Sequence, residues 1–237
     1  MISLPVIDRS ETYELDPRII IGVGLNYQTH IDEHKKINVQ GFNDDVPTEP
    51  VIFPKTVNCL IGNGEPIVIP RFIEEYNFAE PKVDHEAELA FIIKDHCKNV
   101  PVEEALEHVL GYTCMNDVSQ RNFQRSDKSG WFRAKSLDTF GPVGPALLLA
   151  EDLNAPQSLD VFCRVNGEQR QASNTSQMIF PVAQLLSFIS RNLTLEAGDL
   201  VTTGTPAGVG PLRHGDVVEV EIERIGVLRN PVVVEGQ

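Results

Sequence analysis

Two glutamates one residue apart stand at the head of an apolar run, in Asp84-His85-Glu86-Ala87-Glu88-Leu89-Ala90-Phe91-Ile92-Ile93. The run from Leu89 is apolar and partly β-branched, the pattern of a buried strand. Side chains alternate faces along a strand, so Glu86 and Glu88 point the same way, about one pleat repeat apart. Two carboxylates side by side at the mouth of an apolar strand repel each other and are costly to desolvate. A hard divalent cation removes that cost. Taken alone, the pair fits a metal site and exposed surface acids equally well. Asp117 tips the balance, because it ends a second apolar run, Gly111-Tyr112-Thr113-Cys114-Met115-Asn116-Asp117. A third carboxylate at a strand end would complete an all-oxygen site for Mg2+, Mn2+ or Ca2+, with water or substrate in the open positions. Oxygen donors argue against zinc and copper. The other role open to Asp117 is a helix N-cap.

A second cluster runs against the overall charge. Arg121, Arg125, Lys128, Arg133 and Lys135 fall within fifteen residues of a chain with 34 acids, 20 bases and a net charge of -14. Such a patch after a metal ligand suits a substrate with a carboxylate and an oxyanion, although a solvated basic loop has the same composition. Arg121 and Gln124, at i and i+3 of an expected helix, share a face. Lys135, in Ala134-Lys135-Ser136-Leu137, has a less exposed context than Lys128 and is the favoured functional lysine. In Gly24-Leu25-Asn26-Tyr27-Gln28-Thr29-His30-Ile31-Asp32-Glu33-His34, His30 and Glu33 are again i and i+3, so Glu33 can orient the imidazole and raise its basicity. An isolated pair of this kind is also common on exposed charged helices. Gly22-x-Gly24 is not a dinucleotide fingerprint, since Tyr27 takes the third glycine position. Thr202-Thr203-Gly204-Thr205-Pro206-Ala207-Gly208-Val209-Gly210 could cradle an anion with backbone N–H groups or be a tight turn. It lacks the Gly-Lys-Ser/Thr ending of a P-loop.

The elements that must carry these groups are short. Strands are expected at Ile19–Val23, Val51–Pro54, Pro66–Ile69, Glu88–Ile93, Leu110–Met115, Gly144–Leu149, Asp160–Val165, Leu200–Thr203 and Val217–Ile222. Helices are expected at Val102–Val109, at Val118–Arg125 with Asn116-Asp117 as its cap, and at Pro181–Arg191, where Val182, Leu185, Leu186 and Ile189 have helical spacing. Many strands with few helices predict a β-rich α+β domain and not a doubly wound sheet. Phe42–Glu49 and Arg71–Val83 read as polar loops. The acidic balance disfavours nucleic acid and anionic lipid as partners. No run of 18 apolar residues predicts a membrane helix, and Met1–Pro5 lacks the features of a signal peptide, so a cytoplasmic protein is expected. Cys59, Cys97, Cys114 and Cys163 have no Cys-x-x-Cys spacing and read as buried thiols.

Taken in order, these segments resemble the fumarylacetoacetate hydrolase family from about Ile19 to Leu228. The resemblance rests on Gly24-Leu25-Asn26-Tyr27 with His30 and Glu33, Pro50–Lys55, Asp84–Ala90, Gly111–Asp117 with Ser119, Arg121 and Gln124, and Ala134-Lys135-Ser136 with Asp138. Asn166-Gly167 with Asn174-Thr175 and Met178, and the Thr203–Gly210 loop, extend it. It implies a mixed β-sandwich roll, with residues 1–18 a short N-terminal segment and 19–237 the catalytic domain. It also implies a homodimer and a Mg2+ or Mn2+ site at Glu86, Glu88 and Asp117. His30 and Glu33 become the catalytic dyad. Lys135 becomes an oxyanion contact, and Arg121, Gln124, Thr205 and Tyr27 become substrate contacts. The implied substrates are small anionic 2-oxo or 2-hydroxy-enoic acids whose enolate the metal stabilises. The leading expectation is C–C hydrolysis of an acylpyruvate such as fumarylpyruvate. Decarboxylation or isomerisation of an oxaloacetate-like acid or of 2-hydroxyhepta-2,4-diene-1,7-dioate in aromatic catabolism is the alternative, and an inactive metal-binding protein is a remote third.

Overall fold

Strand Ala87–Ile93 is buried at all seven positions and organises the domain. It pairs antiparallel with Leu200–Thr202 on one side and with Val109–Asn116 on the other. The structure, a computed structural model, describes residues 1–37, 46–128, 131–153 and 155–237, with side chains omitted for 34–37. Among these, a seven-stranded mixed sheet runs in the order Val51–Lys55, Ile20–Gly24, Leu200–Thr202, Ala87–Ile93, Val109–Asn116, Gly141–Leu149, Leu60–Ile61. A five-stranded sheet runs Glu168–Asn174, Asp160–Val165, Val217–Ile222, Gly226–Val234, Ile67–Ile69 and packs across the first. A small third sheet pairs Val83–His85 with Ser119–Gln120 and Gly210–Pro211. The result is the β-rich α+β roll expected.

Alternation along the central strand builds two apolar layers. Leu89, Phe91 and Ile93 face the main core with Val161, Val218 and Val220. Ala90 and Ile92 face a second cluster with Leu4, Leu15, Ile20 and Leu200. The N-terminal hairpin, Ile2–Pro5 against Thr12–Leu15, covers that second face. Helix Val182–Asn192 buries Val182, Leu185, Leu186 and Ile189, the stripe that its spacing predicts. All four cysteines are buried and free. No helix among the described residues is long and apolar enough to cross a membrane.

Three helix and loop expectations change. Val102–Val109 is not a helix: it holds one 3-10 turn at Ala105–His108, and Val109 is drawn into the strand Val109–Asn116. The helix expected from Val118 begins at Arg121, because Ser119 and Gln120 pair with Asp84 and Val83. Its cap is therefore the Gln120 side chain, which accepts from Phe123 N–H at 2.8 Å, and Asp117 is no cap. Arg71–Val83 is partly ordered by a 3-10 helix, Arg71–Tyr76. Of the expected loop Phe42–Glu49, residues 42–45 lie outside the described residues.

Strands Ile2–Pro5, Thr12–Leu15, Val83–His85, Glu168–Asn174 and Gly226–Val234 were not legible. Glu168–Asn174 is almost wholly polar, and Pro231 interrupts Gly226–Val234. Pairing with neighbours distant in sequence makes them strands where their own composition does not.

Candidate active site

Glu86 occupies the break between strands Val83–His85 and Ala87–Ile93, so its backbone is not committed to either ladder. Its N–H donates to Asn116 Oδ1 at 2.9 Å, and its carbonyl accepts from Asp117 N–H at 2.9 Å. The two strand ends thus lock together, and Glu86, Glu88 and Asp117 converge. One oxygen of each lies within 4.8 Å of the others, and all three side chains are buried. Surface acids are excluded by that burial.

Cations crowd the carboxylates of the cluster but reach them unequally. Lys55 is fully buried and donates to Asp117 Oδ1 at 2.7 Å, to Phe140 O at 3.0 Å and to Lys135 O. Lys135 Nζ lies 2.7 Å from Glu86 Oε2 and 2.6 Å from Asp117 Oδ2. Arg121 donates through Nε to Asp84 Oδ2 at 2.8 Å, and its Nη2 lies 2.6 Å from Glu86 Oε1. These three buried cations meet four carboxylates, Asp84, Glu86, Glu88 and Asp117, and the part-exposed Lys82 adds a fourth cation 3.6 Å from Asp84 Oδ2. Burial works to neutralise Glu86, but Lys135 and Arg121 outweigh it and hold its carboxyl well below the usual range. Glu88 is pushed the other way, by burial and then by the charges of Asp117 and Glu86. Its Oε2 accepts from Gly204 N–H at 2.8 Å. Gly204 takes a positive φ of 88°, and a Cβ there would lie 2.8 Å from Asn26 Cβ, so the close approach needs glycine. The Tyr27 hydroxyl is buried without a hydrogen-bond partner, and burial together with the charge of Glu88 raises its pKa.

A divalent cation fits this arrangement. Three convergent carboxylate oxygens are a hard donor set, and burial together with the charges of Asp117 and Glu86 raises the pKa of Glu88, a cost that a bound cation would relieve. Glu86, Glu88 and Asp117 would hold the ion.

Around the cluster lies a cavity of about 20 Å³, room for a water-sized centre. His30, Arg121, Gln124, Lys135, Thr205 and Trp131 are among its walls. His30 Nδ1 lies 3.5 Å from Glu33 Oε2, as the i, i+3 spacing predicts. Glu33 also accepts from Gly208 N–H at 3.2 Å, which ties helix Gln28–Ile37 to the Thr203–Gly210 loop. Gln124 Oε1 accepts from Arg121 Nη1 at 2.9 Å, leaving its amide hydrogens for the cavity. Thr205 Oγ1 donates to Ala87 O at 3.0 Å and accepts from Gln171 Nε2 at 2.8 Å, so what it can still offer a ligand is an acceptor lone pair. Trp131 rests on Gly24, where a Cβ would stand 2.4 Å from its ring, and meets Phe53 edge-on at 5.4 Å. From the basic run, Arg121 and Lys135 turn inward, while Arg125 and Lys128 are exposed.

The candidates named from sequence are thus at the cluster or its walls, except Tyr27, which is buried beside Glu88, and Glu33, which stands behind His30. Sequence reasoning missed Lys55, Asp84, Asn116 and Gln171. Lys55 carried one signal: a lysine closing the apolar strand Val51–Lys55, where an unpaired charge would be costly.

The sequence profile of the fumarylacetoacetate (FAA) hydrolase C-terminal domain matches residues 19–233. The chain is 42% identical over 226 residues to the mitochondrial oxaloacetate tautomerase of Xenopus laevis, covering 92% of this chain and 66% of that protein. The crystal structure of 2-hydroxyhepta-2,4-diene-1,7-dioate isomerase from Mycobacterium marinum superposes with a TM-score of 0.80 at 38% identity, covering 96% and 82% of the two chains. Fumarylpyruvate hydrolase from Pseudomonas aeruginosa, solved with Mn2+ and pyruvate, gives a TM-score of 0.82 at 29% identity and covers 98% and 96%. A match over nearly the whole chain, together with the buried carboxylate cluster, shows that the chain belongs to the fumarylacetoacetate hydrolase family.

Proposed function

We propose that this chain is a divalent-metal-dependent enzyme that moves a proton between the keto and enol forms of a short 2-oxo diacid of the oxaloacetate class. The observation that carries this reading is the commitment of the basic groups. Lys135 and Arg121, the groups able to stabilise a distal tetrahedral oxyanion, are both engaged with carboxylates of the cluster. His30, in the cavity wall beside the carboxylates, is the group that would act on substrate. Paired through Nδ1 with Glu33, the imidazole would take the proton from C3 of the acid and return it to the enol oxygen or to carbon. A bound divalent cation would supply Lewis-acid polarisation of the 2-oxo group. Gln124 offers amide hydrogens to a carboxylate, and Trp131 and Phe53 exclude bulk water. The tautomerase relative supports the same reading.

C–C hydrolysis of an acylpyruvate is the second reading. It is favoured by the same dyad, which can activate water, and by the likeness to fumarylpyruvate hydrolase. One assay separates the two. The purified protein with Mg2+ or Mn2+ should accelerate decay of the oxaloacetate enol absorbance without releasing pyruvate, and should leave fumarylpyruvate intact. Pyruvate release from fumarylpyruvate at the higher kcat/KM would replace tautomerisation with hydrolysis. His30→Ala should lower turnover by roughly 10²–10⁴-fold while metal binding persists.

A further inference from the structure

Gln171 is the one inward-turned polar residue in an otherwise exposed stretch, Glu168 to Ala172, at the outer strand of the five-stranded sheet. It is 1% exposed and does not line the cavity, and its amide engages four partners. Oε1 accepts from Ala87 N–H at 3.0 Å and lies 3.2 Å from His85 Nδ1. Nε2 donates to Thr205 Oγ1 and to Pro206 O, both at 2.8 Å. The orientation of the amide is settled by its partners, since Ala87 N–H can only donate and Pro206 C=O can only accept.

These bonds close a ring. Ala87 N–H reaches Gln171, Gln171 reaches Thr205 Oγ1, and Thr205 Oγ1 returns to Ala87 O at 3.0 Å. Ala87 is the residue between Glu86 and Glu88, so the peptide units joining it to both are each held, one by a side chain of the other sheet and one by a residue of the loop. The same loop supplies Gly204 N–H to Glu88 and Gly208 N–H to Glu33. We infer that Gln171 is a positioning residue: through Ala87 and Thr205 it sets the spacing of the Glu86 and Glu88 carboxylates and the seat of the loop against them. The inference rests on the reading of the carboxylate cluster as a metal site.

A calorimetric Mn2+ titration of the full chain tests it without recourse to turnover. Gln171→Met keeps the volume and removes every bond, so its Kd for Mn2+ should rise about ten-fold or more, as for other residues that orient metal ligands. Thr205→Val opens the ring from the other side and should weaken binding less. Because both changes act through one ring, the double variant should be little worse than Gln171→Met. If Gln171→Met does not fold, Gln171→Asn keeps the amide but is one methylene too short to span both partners, and it should show the same rise. A wild-type Kd in the folded Gln171 variant, or strictly additive losses with Thr205→Val, would overturn the inference while leaving the metal site standing. A wild-type chain that does not bind Mn2+ overturns the metal reading and this inference together.

Discussion

Glu88 and Glu86 sit two residues apart on one stretch of backbone, yet their surroundings push their acidities in opposite directions. Glu86 meets two cations, whereas Glu88 meets burial and two anions and accepts a hydrogen bond from Gly204 N–H. Metal binding needs the ionised form of each, so the raised acid of Glu88 must give up its proton as the ion enters. Mn2+ affinity should therefore climb as pH rises through the raised Glu88 pKa, and calorimetry in two buffers of different ionisation enthalpy should register the released proton. Glu88→Gln should bind more weakly, with little proton release. The stability of the metal-free chain carries the same signs. The contribution of Glu88 is present below the ordinary carboxylate range and is lost as pH rises through its raised value. That of Glu86 is present above the ordinary range and is lost as pH falls through its depressed value. Thermal denaturation with and without Mn2+ should show the ion restoring what ionised Glu88 removes, and a pH-independent Mn2+ affinity would refute this account. The three carboxylates were legible because like charge at the mouth of an apolar strand is a local anomaly. Lys55 and Gln171 were not, because what explains them, Asp117 in one case and Ala87 and Thr205 in the other, is remote in sequence.

Elements were legible where they carry their own pattern. Ala87–Ile93, Asp160–Val165 and Val182–Asn192 show periodicity within themselves, and the structure places them as expected. The one-turn helix Phe132–Lys135 was invisible, since four residues hold no period, and yet it delivers Lys135 to Glu86 and Asp117. What holds it is Arg133. The guanidinium lies 4.0 Å above the Phe123 ring, with Nε 3.1 Å from Asp127 Oδ2 and Nη1 2.9 Å from the Tyr76 hydroxyl. Tyr76 ends the 3-10 helix Arg71–Tyr76, and its ring meets Phe123 edge-on and stacks on Phe78. The polar loop expected at Arg71–Val83 thereby gains a physical role, as the wall against which the lysine-bearing turn is clamped. Arg133→Ala should cost about 1 kcal/mol of stability. If that strain reaches Lys135, kcat should fall roughly five-fold. Arg133→Lys keeps the charge but not the planar fork and should fall between the two. Steady-state kinetics beside thermal melts would check this, and a melt shift with unchanged kcat would show that the clamp stabilises the fold without positioning Lys135.

At the scale of the whole molecule, the seven-stranded sheet must be covered on both faces to keep its central strand dry. The five-stranded sheet covers one face, through Leu89, Phe91 and Ile93. The other is covered by residues ahead of the expected boundary at residue 18: Leu4, Val6 and Leu15 share a cluster with Ile20, Ala90 and Ile92. The hairpin is pinned there by Ile7 N–H donating to Leu147 O at 3.0 Å and by the bridge of Val6 to Leu147. Its strands are short and half-exposed, which is why their composition gave no signal. Leu15 is fully buried, so Leu15→Ala removes its packing and leaves a cavity under the strand that carries Glu88. The cost should be about 2–5 kcal/mol, a large share of the roughly 5–15 kcal/mol typical of a domain. The cavity would open beneath Ala90 and Ile92 and not at Glu88, whose carboxylate is fixed independently by Gly204 N–H. Leu15→Ala should therefore unfold at lower denaturant concentration but keep the wild-type Mn2+ Kd and turnover per folded molecule. Glu88→Ala should do the reverse, weakening Mn2+ binding far more than it lowers metal-free stability, because it removes a metal donor whose ionised form the apo cluster disfavours. Chemical denaturation and Mn2+ titration of both variants would reveal whether these effects separate. A Leu15→Ala chain that loses metal affinity in proportion to stability would show instead that the hairpin helps to shape the site.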